Sequence, residues 1–205
     1  MNLELENRIK KAYPTGLIEE LNDAMLRSEG RDERLQCVLT LADTGCHLAC
    51  QQDNTSLFYS FAFTQKEHPR FEVWVSQMRN PEKLAWIKAN GQPYPVLWVN
   101  ISRVADWYYF YYNHWTPRGE TGFLDADWKR SPSALWHHYE KTIRNELALR
   151  GFDFLSSELA AEKTPFVLKR DYDSIEDTDP RWSDPEFEPP LTPATIHHCL
   201  FGDWG

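Results

Sequence analysis

The stretch PVLWVNISRVADWYYFYYNHW, residues 95–115, decides how this chain folds. Residues 96–102 and 107–115 are both rich in the β-branched and aromatic side chains that suit a pleated, packed surface. Residues 103–106 between them are few enough for a tight turn, although they lack the Asn-Gly signature. We therefore predict an antiparallel β-hairpin here, around which the other elements are arranged.

Side chains alternate between the two faces of a strand, so the sequence also assigns each hairpin residue to a face. Leu97, Val99 and Ile101 share one face of the first strand. The second strand carries aromatic rings on both faces, with Tyr111 on one and Tyr112 on the other. These rings could form a stacking platform for a ligand, but burying one of them contributes on the order of 2–3 kcal/mol. We therefore predict that this strand lies inside the sheet and is covered on both sides.

Length and charge narrow the classes of protein that this chain can belong to. With 205 residues it is long enough for one well-packed domain. Its net charge of −9 argues against a general nucleic-acid binder, which needs clustered Lys and Arg, and suits a basic partner. The start MNLELENRIKKAYPTG shows no secretory signal, and no apolar run approaches the ~20 residues of a membrane helix. We therefore expect a cytoplasmic protein whose cysteines are reduced.

Helical spacing and capping signals predict several helices around the hairpin. They cover residues 3–12, 17–28, 81–90, 132–150 and 153–162. Asn80, Pro81 and Gly91 supply the cap, the first position and the stop of the third helix. Residues 31–42 fit either a helix or a strand, and the acids at their start favour a helix.

Strand patterns complete the prediction of the fold. Residues 56–64 and 70–76 alternate as strands do, and a short polar connection indicates that they pair antiparallel. Residues 116–129 are rich in Gly and Asp and are predicted to be a loop, whereas residues 166–168 fit an edge strand. We predict an α+β fold with an antiparallel meander of about four to five strands packed against several helices. It forms a single domain over residues 1–170.

After residue 170 the composition changes to an acidic, proline-rich arm over residues 171–205. Residues 171–190 contain one base and eight acids, so no regular structure is expected there. The acids are Asp171, Asp173, Glu176, Asp177, Asp179, Asp184, Glu186 and Glu188. Interspersed apolar residues predict that the arm runs over the surface and is anchored to the same domain; they are Tyr172, Ile175, Trp182 and Phe187. Thr192 and Pro193 are predicted to cap a last short helix that ends at Gly202.

The patterns that could carry catalysis or metal binding all have a simpler structural explanation. A zinc site would draw its ligands from Cys46, His47, Cys50, His197, His198 and Cys199. The Cys-x3-Cys spacing is less diagnostic than paired Cys-x2-Cys motifs, so buried free thiols are preferred, and the sequence leaves open whether these residues approach one another. Asp125 and Asp127 form a D-x-D pair without a nucleotide-binding context, and we interpret them as turn residues. We predict no catalytic residue, no metal and no cofactor.

The DWYYFYYNHW hairpin and the EDTDPRWSDPEFEPPLTPATIHHCLFGDW ending resemble, in style, the small acidic immunity proteins that bacteria keep against interbacterial or polymorphic toxins. The resemblance extends to no motif, so it transfers no functional residue. It implies a stoichiometric inhibitor that binds a cognate toxin domain, and toxin nucleases are commonly basic. Interleaved acids and rings suit such an interface, because charges steer a basic partner and rings hold it. The predicted partner-binding residues are Asp173, Glu176, Asp177, Asp179, Trp182, Asp184, Glu186, Phe187 and Tyr112.

A second interpretation is a small enzyme or ligand-binding protein with a pocket lined by the aromatic strands, near His114, Asp125 and Asp127. A deep enclosed pocket with convergent polar groups would favour this interpretation, whereas a flat acidic surface with exposed rings would favour the inhibitor. A platform for single-stranded nucleic acid has the rings but the wrong net charge.

Overall fold

The structure is a computed structural model, and it describes residues 2–18, 46–52, 57–65, 81–119, 124–129, 136–172, 175, 179–184 and 186–202. Three predicted segments lie outside these ranges: most of the helix over 17–28, the segment 31–42 and the strand over 70–76. Within the described ranges, no helix is both long enough and apolar enough to cross a membrane.

The described elements form an α+β fold, as the sequence predicts. The helices are α1 (Leu3–Ala12), α2 (Pro81–Asn90), α3 (His137–Leu149), α4 (Ser157–Ala161) and α5 (Ile196–Phe201). The strands are β1 (Cys46–Gln52), β2 (Phe58–Gln65), β3 (Tyr94–Ser102), β4 (Trp107–Pro117), β5 (Leu124–Lys129), β6 (Asp153–Phe154), β7 (Lys163–Arg170) and β8 (Leu191–Thr195). A 3₁₀-helix covers Pro180–Ser183.

The larger sheet contains six strands. Strands β1 to β5 follow one another antiparallel in chain order, so the sheet is a meander, as predicted. Its members differ from the prediction, because β2 pairs with β1 and β3, whereas the sequence predicted pairing with residues 70–76. The short β6 lies parallel to the start of β4, where Trp107 pairs with Asp153. Strands β7 and β8 form a separate antiparallel pair. The predicted hairpin, β3 and β4, therefore lies inside the sheet.

The two faces of the hairpin carry the side chains that the alternation assigns to them. Val99 lies opposite Phe110, and both belong to a buried cluster that α3 covers with Ile143. On the other face Tyr111 belongs to a second buried cluster, to which α5 contributes Phe201. Strand β4 is thus covered on both sides, so the interpretation of its rings as core is confirmed.

Local sequence explains where the first helices begin and end. Asn2 caps α1 by accepting the Leu5 N–H at 2.8 Å. Helix α2 has Pro81 at its first position and stops before Gly91, whose φ of 64° is readily adopted only by glycine. Both predicted helices are therefore confirmed, and α3 lies within the helix predicted over residues 132–150.

The predicted loop over residues 116–129 is wrong at both ends. Strand β4 extends to Pro117, and residues 124–129 form β5. Aspartate disfavours strands intrinsically, but β4 supplies backbone hydrogen-bonding partners at this edge, and Trp115 pairs with Ala126. Pairing with a neighbouring strand therefore overrides the local composition.

Two predicted helix starts are also wrong. Leu17 lies in a parallel bridge with Leu168 and not in a helix. The helix predicted from residue 153 begins only after Ser156, which is the N-cap of α4. Residues 153–154 instead pair with β4 as β6, because β4 is long enough to hold β5 at one end and β6 at the other.

The C-terminal residues contribute to the core of the fold. The N-cap of α5 is Thr195 and not Thr192, because residues 191–195 pair with β7 as a strand. The apolar residues of α5 are 0% exposed, namely Ile196, Cys199, Leu200 and Phe201. Helix α5 therefore belongs to the core, whereas residues 171–190 form the connection between β7 and β8.

Candidate partner-binding surface

Residues 171–190, here called the acidic loop, leave β7 and return to β8 at the same place. Arg170 pairs with Leu191 across the two strands, and the Asp171 N–H donates to the Pro190 carbonyl at 2.9 Å. The Arg170 guanidinium also forms a salt bridge to Glu188 at 3.0 Å. These contacts close the base of the acidic loop, so its position is fixed by the strands on either side of it.

Buried apolar residues attach the acidic loop to the rest of the molecule. Ile175 and Pro189 are buried, and Phe187 is half-buried. Tyr172, in contrast, is 54% exposed, so the prediction that it is an anchor is wrong. The Ile175 N–H donates to the Tyr172 carbonyl at 3.2 Å, and of these two neighbouring residues Ile175 is buried and Tyr172 exposed.

The 3₁₀-helix of the acidic loop is braced by one ion pair. Asp179 caps it by accepting the Arg181 N–H at 2.9 Å. The Arg181 guanidinium returns to the same carboxylate, with Nε 3.0 Å from Oδ1 and Nη2 2.7 Å from Oδ2. The guanidinium, followed by the backbone N–H, lowers the pKa of the Asp179 carboxyl to about 2. Asp179 is therefore a structural carboxylate, already engaged within the loop.

Further local contacts extend this bracing towards β8. The Arg181 guanidinium lies 5.0 Å from the centre of the Phe187 ring. Asp184 Oδ1 accepts the Glu186 N–H at 2.9 Å, and the Phe187 N–H donates to the Asp184 carbonyl at 3.1 Å. Residues 179–187 thus form consecutive turns that are joined to one another by side chains.

The outer side of the acidic loop combines carboxylates with apolar surface. Asp184, Glu186 and Glu188 are exposed. At the base of the loop Tyr172 is 54% exposed and Leu191 is 46% exposed. Sequence reasoning missed Leu191; the available signal was an apolar residue directly after two prolines, at the start of a strand.

The structure brings together only part of the predicted binding set. Asp179, Asp184, Glu186 and Phe187 all lie on the acidic loop. Outside the described residues lie Asp173, Glu176, Asp177 and the side chain of Trp182.

Tyr112 does not belong to this surface, which corrects the prediction that it is an exposed binding residue. It is 3% exposed, because α3 covers its face of β4. Burial raises the pKa of its phenol well above the usual value, and Glu140, which accepts the phenol hydrogen bond, raises it further. Tyr112 is therefore a core residue with a buried polar partner.

The residues of the alternative, pocket-based interpretation lie on β4 and β5. His114 is directly opposite Asp127, which is exposed, while the side chain of Asp125 is outside the described set. A surface depression is instead found on the exposed side of α1, lined by Leu3, Glu4, Asn7, Arg8 and Lys11. His114, Asp125 and Asp127 are not among the residues that line this depression.

Cys199 occupies a position that suits a structural thiol. It is 0% exposed, and its Sγ lies 3.6 Å from the Thr164 hydroxyl. Burial raises the pKa of the thiol to about 12, although the contact with the Thr164 hydroxyl lowers it in part, so the thiol stays protonated. The side chains of Cys46, His47 and Cys50 are not among those described, and the described residues contain no group of three potential metal ligands.

Comparisons with protein-family models, with curated proteins and with solved structures found no match in any of the three. The features that bear on function are therefore those of the molecule itself. They are a closed acidic loop, exposed carboxylates, exposed apolar side chains at the base of that loop, and a β3–β4 hairpin that is covered on both faces.

Proposed function

We propose that this chain is a protein-binding inhibitor of the immunity type, which acts in the bacterial cytoplasm by binding a cognate basic toxin domain. The observation that carries this proposal is a braced acidic loop on which Asp184, Glu186 and Glu188 are exposed. Inhibition follows from covering or distorting the active site of the toxin, with no covalent step.

Contacts within the chain hold the described residues of the acidic loop in place. Its base is closed by the pairing of Arg170 with Leu191, and its middle is braced by Asp179 and Arg181. Ordering a flexible side chain at an interface costs about 0.5–1.5 kcal/mol, and a braced loop avoids part of this cost. Such a loop suits recognition of a defined surface better than a solvated tail would.

The charge of the acidic loop favours a basic partner. It contains eight acids and one base, and that base, Arg181, already contacts Asp179 and Phe187. The net charge of the whole chain, −9, adds to the same field. Electrostatic steering of this kind raises association rates by about 10–10³-fold and weakens as salt is added.

Exposed apolar side chains next to the carboxylates supply short-range contacts. Tyr172 and Leu191 both lie at the base of the acidic loop. Tyrosine is enriched among the residues that dominate binding energy, whereas leucine is not. We therefore assign Tyr172, in place of Tyr112, as the ring that holds the partner.

The packing of the sheet favours binding over catalysis. On one face the rings of Tyr109 and Tyr111 are 4.9 Å apart, and on the other those of Tyr108 and Phe110 are 5.4 Å apart. Rings that pack on one another at these distances stabilise the fold. The aromatic stripe is thereby explained without a ligand.

The proposal is tested by co-purification with the product of the adjacent gene and by binding measured at increasing salt. The loop variant replaces two exposed acids, Asp184→Asn and Glu186→Gln, and keeps Glu188, which pairs with Arg170. The control variant replaces two exposed acids elsewhere, Glu4→Gln and Glu82→Gln. We expect the loop variant to associate about tenfold more slowly at low salt, and the control to stay within about twofold of wild type. A salt-independent complex contradicts the steering, and a chain that recovers no partner contradicts the function.

A further inference from the structure

The depression on the outer side of α1, here called the α1 groove, is a surface that the proposed function does not use. It is lined by Leu3, Glu4, Asn7, Arg8 and Lys11. The Leu3 side chain is 73% exposed. A single exposed leucine is ordinary on a protein surface, so the shape and the charges of the α1 groove must decide what fits it.

The inner side of α1 is fixed to the rest of the fold. Leu5 and Ile9 are buried in the cluster that also contains α5 residues. Just after the end of α1, the Tyr13 hydroxyl donates to the Cys199 carbonyl at 2.8 Å. The Lys10 ammonium lies over a ring of β7, 4.8 Å from the centre of Phe166. The α1 groove is therefore held in one orientation relative to the sheet.

The spacing of the lining residues matches the surface of another helix. Side chains four positions apart lie above one another on a helix, so Leu3, Asn7 and Lys11 form one row. Glu4 and Arg8 form the next row. The space between two such rows accepts a row of side chains from a second helix, with the axes inclined at about −50°. The shape of the α1 groove therefore fits a helix.

The order of charges along α1 favours a second copy of α1 as that helix. Glu4 and Glu6 lie in its first turn, and Lys10 and Lys11 lie in its last turn. A two-fold axis near Asn7 makes the two helices run roughly antiparallel, so Glu4 of each copy lies opposite Lys11 of the other. Lys11 also interacts within its own chain, but an ammonium has three donors and can bind a further carboxylate.

We propose that the α1 groove is the contact surface of a weak two-fold dimer, in which α1 of one copy packs against α1 of the other. Asn7 lies near the axis, with a Glu4–Lys11 ion pair on each side of it. Helix α1 has ten residues, so the contact belongs with the small interfaces of weak encounters, below about 1,200 Å². The dimer uses no residue of the acidic loop and does not rest on the proposed function.

Sedimentation equilibrium of the full chain, from about 0.01 to about 1 mM, tests the dimer and its charges. We expect the wild type to associate reversibly towards the upper concentrations. Glu4→Lys should weaken the dimer about tenfold, because it places like charges opposite each other on both sides of the axis. The double variant Glu4→Lys with Lys11→Glu exchanges the two charges and should return the dissociation constant to within about threefold of wild type.

Glu82→Lys on α2 is the matched control, because it makes the same change of charge at an exposed glutamate outside the α1 groove. Both single variants reduce the negative net charge of each copy by two, which by itself favours association. The control should therefore associate at least as well as wild type. A protein that is monomeric at every concentration would overturn the proposal, and so would equal association of Glu4→Lys and Glu82→Lys.

Disulfide cross-linking tests the two-fold axis without changing any charge on α1. Packed helices have axes about 8–10 Å apart and Cα atoms about 2.3 Å from each axis, so two facing Cα atoms come within reach of a disulfide. Asn7→Cys should give a reducible dimer on mild oxidation, with a bond between the two positions 7 that peptide mass spectrometry identifies. Lys141→Cys, at an exposed position of α3, is the control and should give no bond between the two positions 141. Absence of the bond through position 7, or equal cross-linking through position 141, would also overturn the dimer.

Discussion

The hairpin of β3 and β4 and the acidic loop are held in place by opposite means. In the hairpin, side chains on both faces are buried, and Phe110 is 3% exposed. In the acidic loop, buried residues such as Ile175 and Pro189 serve as attachment points, while polar contacts such as that between Asp179 and Arg181 brace the remainder. Burial of apolar side chains stabilises a region against unfolding. Polar contacts at the surface hold the conformation of a region and leave its charged groups exposed to solvent. Substitutions should therefore reduce stability in the hairpin and reduce binding in the acidic loop.

The largest effect on stability is expected from Phe110→Ala. The Phe110 ring lies 5.4 Å from that of Tyr108 and 5.6 Å from that of Phe154, and the Arg144 guanidinium lies 4.9 Å from its centre. Removing the ring leaves a cavity beneath α3, so the free energy of unfolding should fall by about 3–5 kcal/mol. Urea unfolding followed by tryptophan fluorescence measures this change.

Tyr172→Ala in the acidic loop is the matched control for that experiment. Its side chain is 54% exposed, and its removal should change the free energy of unfolding by no more than about 0.5 kcal/mol. A loss comparable to that of Phe110→Ala would show that the acidic loop is also held by burial, and the contrast between the two regions would disappear.

Tyr112→Phe tests a residue that the sequence assigns to the binding surface and the structure assigns to the hairpin. Its hydroxyl donates to Glu140, whose side chain is 7% exposed. Loss of the hydroxyl removes a partner from a buried carboxylate, so the free energy of unfolding should fall by about 1–3 kcal/mol. Binding to the partner should be unchanged.

Tyr172→Phe is the corresponding control, because Tyr172 is 54% exposed, so loss of its hydroxyl should change the free energy of unfolding by less than about 0.5 kcal/mol. For both variants, Tyr112→Phe and Tyr172→Phe, the free energy of unfolding and the affinity for the partner should be measured on the same protein. If the Tyr112→Phe protein has wild-type stability but binds the partner more weakly, Tyr112 belongs to the partner-binding surface and not to the core.

The hairpin could be predicted from sequence because the residues that determine it all lie within one continuous stretch. Alternation alone places Val99 and Phe110 on one face and Trp98 and Tyr111 on the other, and the short turn sets the register that joins them. The exposure of a single ring is harder to predict. The sequence alone does not show that α3 covers the face of β4 that carries Tyr112, so the prediction of Tyr112 as a surface residue is wrong.

The acidic loop could be predicted in composition but not in shape. Its base depends on the pairing of Arg170 with Leu191, which are far apart in the chain. Tyr172 and Ile175 are both aromatic or aliphatic residues in an acidic segment, and composition does not distinguish the exposed one from the buried one. The sequence does not predict β5 for a related reason. Its own composition does not favour a strand, and it becomes one because it pairs with β4.

The smallest effect on stability is expected from Asp179→Asn, which weakens the bracing of the acidic loop and leaves the core intact. The Arg181 side chain, followed by its backbone N–H, holds the pKa of the Asp179 carboxyl at about 2, below its ordinary value of 3.8. Because the pKa is lowered in the folded state, the bracing is complete above about pH 3.8 and is lost as the pH falls towards 2. The asparagine variant should resemble this acid-loosened loop at neutral pH.

We expect trypsin to cleave Asp179→Asn several-fold faster than wild type after Arg181, because cleavage requires the local opening that the bracing opposes. The melting temperature should change little, since the pair is at the surface. Glu146→Gln is the matched control, because it likewise removes the acidic partner of a surface arginine, Arg150 on α3, and should not affect cleavage after Arg181. Unchanged cleavage in Asp179→Asn would mean that burial, not polar bracing, holds the acidic loop, and the loop would then differ from the hairpin only in its charge.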